Sequence, residues 1–164
     1  MAGIVVRPTR SSDAGRLAVI WLDAAEYYAG LDPDAFRLPS REDVERVPAD
    51  GAVVSDQLSV VAEIDGAVAG FADAHLEPPA EYAGAQFARE LTETRAVVDA
   101  LVVERRYWRR GAGGALLGAV EDWARSSGAA LVCLDTYVNS PVSVPFYEEG
   151  MGYRRRSINL RKRL

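Results

Sequence analysis

Four arginines flank a glycine-rich turn in LVVERRYWRRGAGGALL, residues 101–117. Glycine lets a chain turn tightly and leaves its amides bare to an approaching anion. A helix starting there adds about half a positive charge and outward-pointing N–H groups. Arg105, Arg106, Arg109 and Arg110 bring full charges beside it. The chemistry this pattern suits is the binding of a diphosphate.

A Walker loop needs GxxxxGK followed by Ser or Thr, and no lysine lies near this turn. A dinucleotide fingerprint starting at Gly111 requires glycine or alanine at 116, where Leu116 stands. Other reactive residue types are few. Alternation along the preceding strand gives Asp99, Leu101 and Val103 one face, and Val98, Ala100 and Val102 the other. Asp99 then reads either as an acid facing a bound ligand or as a strand-edge acid in water. His75, the chain's one histidine, reads as a partly exposed sheet residue, and Cys133 as a small core residue. On residue type alone Tyr147 is an aromatic packed on the core.

These residues need a frame. IVVR (4–7) reads as a first strand, and Ser11, Ser12 and Asp13 are N-cap types ahead of a helix. Leu17, Ile20, Trp21, Ala24 and Tyr28 recur at helical spacing, and Gly30 closes that helix. REDVERV predicts a short second helix ended by Pro48. Residues 59–65 and 68–76 predict a hairpin about Asp65-Gly66-Ala67. Residues 77–93 read as a long connection with a loose helical middle, and ETRAVVDALVV as the next strand. Leu116, Leu117, Val120 and Trp123 form the stripe of a helix stopped near Gly128. AALVCLDTYV predicts a strand buried on both faces. A short helix over 141–149 and a final strand, GYRRRSINLRKRL, complete an α/β unit with one domain over 1–164.

Composition narrows the function classes. Nothing approaches about 18 consecutive apolar residues, so no membrane span is expected. The start MAGIVVRPTR lacks the pattern of a secretory signal. One cysteine suits a reducing cytoplasm, and with one histidine makes a zinc site improbable; no metal is expected. Residues 1–100 hold 18 Asp/Glu against 8 Arg, whereas residues 101–164 hold 6 Asp/Glu against 11 Arg/Lys. The acidic part suits a cation and the basic part an anion. A pI near 5.0 disfavours nucleic acid as a partner, although RRR (154–156) and RKR (161–163) are basic clusters.

The glycine stretch resembles the acetyl-CoA loop of the GNAT superfamily of N-acetyltransferases, with its pattern Q/R-x-x-G-x-G/A. Gly111 and Gly113 hold the small-residue positions, while Trp108 stands where Gln or Arg is usual. NSPVSVPFYEEGMGYRRRSI resembles the superfamily's late segment in Asn139, Phe146, Tyr147, Glu148, Gly152 and Tyr153. The Tyr147-to-Gly152 spacing is one residue longer than the commonest form. The resemblance spans nearly the whole chain and implies a mixed sheet. Its order is strand, two helices, strands two to four, helix, strand, helix, strand, with strands four and five splayed.

The resemblance further implies acetyl-CoA as acyl donor, coenzyme A as product, and acetyl transfer to an amine in a ternary complex. The N–H of Leu101 would hold the thioester carbonyl. Val102 and Val103 would lie along the pantetheine arm, and Arg109, Arg110, Gly111, Ala112, Gly113 and Gly114 around the pyrophosphate. Asn139 and Tyr147 would also touch the cofactor. Which of Arg105, Arg106 and Arg110 reaches the 3′-phosphate stays open. Tyr147 would act as general acid on the departing sulfur, and Asp99 is the candidate base.

Trp21, Glu26, Tyr27 and Tyr28 would line the acceptor pocket, where aromatics and carboxylates suit an ammonium ion. The acceptor would be a cationic small molecule or a protein amine. A cytoplasmic location, and a homodimer through the last strand, are further expectations. The abundance of arginine over lysine loosely suggests a GC-rich bacterial genome. The alternative is a non-catalytic acyl-CoA sensor on the same fold.

Overall fold

The computed structural model describes residues 3–47 and 56–162. It divides into two compact units, Met1–Leu134 and Asp135–Leu164.

The first unit is a five-stranded mixed sheet between helices. Strands β1 (Ile4–Pro8), β2 (Gln57–Ile64), β3 (Ala67–Glu77), β4 (Arg95–Val103) and β5 (Leu131–Leu134) lie in chain order across it. The first three pairings are antiparallel, and β4 pairs with β5 in parallel. Helices α1 (Ala14–Leu31), α2 (Arg41–Glu45) and α3 (Ala112–Ser126) connect the strands. Pro48, expected to end α2, lies outside the described residues. The hairpin closes on two residues, because Asp65 and Gly66 both adopt positive φ (53° and 78°) and Ile64 pairs with Ala67.

Alternation sorts the sheet's side chains between its two helical covers. Val61, Val68 and Phe71 pack with Ile20 of α1, and Leu17, Ala100 and Val102 close around them. The neighbouring Val60 and Ala62 turn to the opposite face, which α3 covers with buried Leu116, Leu117 and Val120. Burying each such aliphatic side chain contributes roughly 1.5–3 kcal/mol. Ala124 completes the α3 stripe in place of Trp123, which is half-buried.

Two expectations about β5 are corrected. β5 covers Leu131–Leu134 rather than 129–138, and its side chains are half-buried. An edge strand with one neighbour has one side open. Residues 77–93 carry two 3₁₀ turns, Ala83–Ala85 and Arg89–Thr92.

In the second unit a helical turn, Ser143–Pro145, runs into a wider π turn, Phe146–Gly150. The expected last strand does not form over residues 153–162. All of 154–162 is exposed. Behind three successive arginines the alternating Ile158 and Leu160 both stay exposed, so the segment has no buried face to hold it on a sheet.

Candidate active site

β4 is the backbone of the site. Glu104 donates its N–H to the carbonyl oxygen of Ala69 at 3.0 Å. A Cβ placed on Gly70 would meet the carbonyl oxygen of Val102 at 2.5 Å, so that oxygen also points at β3. Alternation turns the N–H and C=O groups of Leu101 and Val103 to the other side. There β5 pairs only with Arg95–Val98 and ends at Leu134, opposite Val98. β5 ends there, and Leu101 and Val103 turn their backbone groups to the side where β4 has no strand partner among the described residues. Val102 does not join them: its side chain packs in the Ile20 cluster and its backbone is committed to β3.

The glycine turn follows directly. Gly111 caps α3 with φ +91°, a conformation that an L side chain resists, and an added Cβ would press on Ile4 Cδ1 at 3.0 Å. Ala112, Gly113 and Gly114 form the first turn of α3, where the N–H groups lack helical partners. Arg109 also takes positive φ, +59°. This combination of left-handed turn and helix N-terminus fits a diphosphate.

The arginines divide by partner. Arg105 donates through its N–H and Nε to Asp23 of α1, both at 2.8 Å, and also pairs with Glu26. Arg106 bonds Glu104 at 2.7 Å and Arg110 bonds Asp65 at 3.2 Å. Arg109 makes no ion pair among the described residues. Trp108 turns inward: its Nε1–H donates to the carbonyl oxygen of Val103 at 2.7 Å, and Tyr27 meets its ring edge-on at 5.0 Å between centroids.

Of the residues expected to line an acceptor pocket, Glu26 is engaged by Arg105, and Tyr27 packs between Trp108 and Tyr28. Trp21 stays exposed, tilted against Phe71 at 6.3 Å. Tyr28 lies against Phe36 at 5.1 Å.

A β-bulge changes the expected faces of β4. The pairing steps from Asp73↔Ala100 to Ala74↔Val98, leaving Asp99 as the extra residue. Simple alternation fails there. Ala100 and Val102 face α1, and Asp99 turns to His75 on β3, with Oδ2 2.8 Å from Nδ1. Asp99 therefore shares no face with Leu101 and Val103.

Around this pair lies a polar row that residue-by-residue reading passes over. Asp73, His75 and Glu77 alternate along β3, and that D-x-H-x-E spacing was its available signal. His75 Nε2 is 3.6 Å from Glu77 Oε1, and Glu77 Oε2 is 2.6 Å from Arg95 Nη2. The hydrogen bond to Asp99, aided by Glu77, holds His75 above the ordinary imidazole pKa. Burial pushes the Asp73 carboxyl up, against a hydrogen bond from Ser59.

In the second unit, Tyr147 is buried in the π turn, its ring 5.0 Å from Phe146 and 6.0 Å from Tyr153. Asn139 is exposed, with Nδ2 3.5 Å from the Tyr137 hydroxyl. Cys133 is half-buried on β5. Among the described residues no His, Cys, Asp and Glu group is arranged to hold a metal ion, and no helix is long and apolar enough to cross a membrane.

The model of the acetyltransferase (GNAT) family matches residues 18–153. No curated protein matches the chain in sequence. Solved structures with the same fold include the BH1408 protein of Bacillus halodurans, at TM-score 0.79 and 15% identity, covering 98% of this chain and 99% of that one. The glucosamine-6-phosphate N-acetyltransferase of Arabidopsis thaliana superposes at TM-score 0.64 and 19% identity, with 98% of each chain covered. An aminoglycoside N-acetyltransferase, AAC(6')-Iy in complex with CoA, does so at TM-score 0.64 and 20% identity, covering 100% and 97%.

Proposed function

The chain belongs to the GNAT family of acetyltransferases, and from that premise we propose that residues 1–164 act as one domain moving an acetyl group from acetyl-CoA to a primary amine. The carrying observation is that β5 pairs with Arg95–Val98 and stops, leaving the outward backbone groups of Leu101 and Val103 without a strand partner a few residues before the left-handed Gly111 turn. Acetyl-CoA supplies the activated thioester. The chain's own groups do the rest.

Leu101 N–H holds the thioester oxygen and stabilises the negative charge that develops when the amine attacks. Val103 N–H takes the amide-bearing arm as an added strand would, while its carbonyl stays with Trp108. The amides from Arg109 to Gly114 cradle the diphosphate, and Arg109, which has no carboxylate partner among the described residues, is the arginine open to phosphate.

The acceptor amine arrives as a cation. An alkyl ammonium of pKa about 10.4 is neutral in roughly one molecule in a few thousand at pH 7, so freeing its lone pair costs roughly 4–5 kcal/mol. The carboxylates Asp73 and Asp99 suit such a cation better than Glu26 and Glu77, whose charges are met by Arg105 and Arg95. Tyr147, within the range matched by the family model, donates its hydroxyl proton to the departing thiolate. The acceptor is a cationic small molecule or a lysine or N-terminal amine, and the protein works in the cytoplasm.

Thermal stabilisation by acetyl-CoA, coenzyme A, NAD and ATP at equal concentration tests the donor. The two CoA species are expected to raise Tm, by an amount set by concentration over Kd. A panel of amines followed by free-thiol release then tests transfer. No shift with either CoA species overturns the assignment.

A further inference from the structure

On the premise of that acyl transfer, we propose that His75 Nε2 is the group that takes the proton from the incoming ammonium, with Asp99 and Glu77 as positioning residues. The bulge is the device. Asp99 keeps the face of Arg95 and Val97, which pair with Glu77 and His75, and the extra residue in β4 then turns Leu101 and Val103 to the opposite face.

The geometry assigns the ring its tautomer. Nδ1, 2.8 Å from Asp99 Oδ2, carries the hydrogen that it donates to the carboxylate. Nε2 then keeps its lone pair, with Glu77 Oε1 3.6 Å away, ready to accept an N–H once Nε2 is protonated. Glu77 is itself held by Arg95 Nη2 at 2.6 Å, and Arg95 Nε is buried without an acceptor, so the guanidinium leans on that carboxylate. The charged groups facing the imidazole are thus Asp73 and Glu77 from β3 with Asp99 and Arg95 from β4. On β2 the partner opposite His75 is the uncharged Gln57. The side chains of His75 and Asp99 are 34% and 50% exposed, enough to meet a ligand from solvent.

Position along β4 links this pair to the reacting centre. Asp99 precedes Leu101 by two residues, about 7 Å of strand. An amine that approaches a carbonyl held at Leu101 N–H from the α1 side arrives over the face that carries the dyad. The step balances. An ammonium proton passes to Nε2 and the freed lone pair forms the C–N bond. The C–S bond breaks, the thiolate takes a proton from the proposed acid, and the second proton of the nitrogen leaves to water, which restores that acid. The imidazolium returns its proton to water.

A single histidine makes the test clean, because one imidazole signal in the proton NMR spectrum reports the group without assignment. In Asp99→Asn protein that signal is expected to titrate at lower pH than in the wild type. In His75→Gln protein kcat/KM is expected to fall by about 10²-fold or more and to lose the ascending limb of its pH profile. Stabilisation by coenzyme A should persist in both variants, showing that they fold and bind the donor. A His75→Gln profile keeping the wild-type limb would overturn the role of His75. An unmoved titration in Asp99→Asn would overturn the positioning role. Wild-type protein releasing no thiol with any amine would instead overturn the acyl-transfer reading itself.

Discussion

The indole Nε1–H of Trp108 donates to the carbonyl oxygen of Val103 at 2.7 Å, tying the loop before the glycine turn to the last residue of β4. Trp108 stands where relatives usually carry Gln or Arg, and here it is an internal brace with Tyr27 against its ring. Trp108→Phe keeps most of the aromatic packing and removes the donor. The half-buried carbonyl then loses its partner, at a cost of about 1–3 kcal/mol read from urea denaturation. Coenzyme A affinity is expected to fall with it, because the end of β4 loses its brace.

Gly111 tests the cradle. Its φ of +91° and the 3.0 Å approach to Ile4 Cδ1 both oppose a side chain. Gly111→Ala should cost about 1–2 kcal/mol in stability from the left-handed backbone. It should weaken coenzyme A about tenfold by displacing one amide, measured by isothermal titration. An alanine variant with wild-type affinity would remove the loop from the binding site.

Asp23 holds the strap between β4 and the turn to α1 through two bonds of 2.8 Å from Arg105. Arg16 and Glu104 add a second tie between the same elements. Asp23→Ala frees the Arg105 amide, which should exchange with deuterium at least tenfold faster. The stability loss should be near 1 kcal/mol, since the Arg105 pair is partly exposed.

Asp13 is buried at the start of α1 and accepts a two-pronged bond from Arg7 at 2.8 and 2.9 Å, with a third from the Arg10 amide. The Arg7 hydrogen bond, helped by Arg10, outweighs burial and holds its carboxyl below the usual aspartate pKa. A depressed folded pKa adds stability that is complete above the unfolded value, about 3.9, and lost as pH falls through the folded value. Stability should therefore drop on acidification below about pH 4 more steeply in the wild type than in Asp13→Asn. The variant itself should lose about 3–5 kcal/mol at pH 7, because Arg7 is left half-paired in a buried site. Urea midpoints across pH check both.

Elements governed by neighbouring residues were legible in the sequence. Asp65-Gly66 dictates its turn through backbone sterics, and Gly111 its cap for the same reason. The stripe on α3 follows from helical period alone, with only Trp123 yielding to Ala124. The last strand was misread because alternation without a buried face carries no register.

The sequence by itself determined the order of strands and helices, the glycine turn and the basic segment beside it, since φ preference, capping and period are properties of short stretches. Only the tertiary structure decided that Asp99 turns to His75, that Arg105 faces α1 rather than an anion, and that β5 stops opposite Val98. Each of these depends on the register of segments distant in the chain. A one-residue bulge, set by packing across strands, separates the face of Asp99 from that of Leu101 and Val103 without any mark in the local pattern.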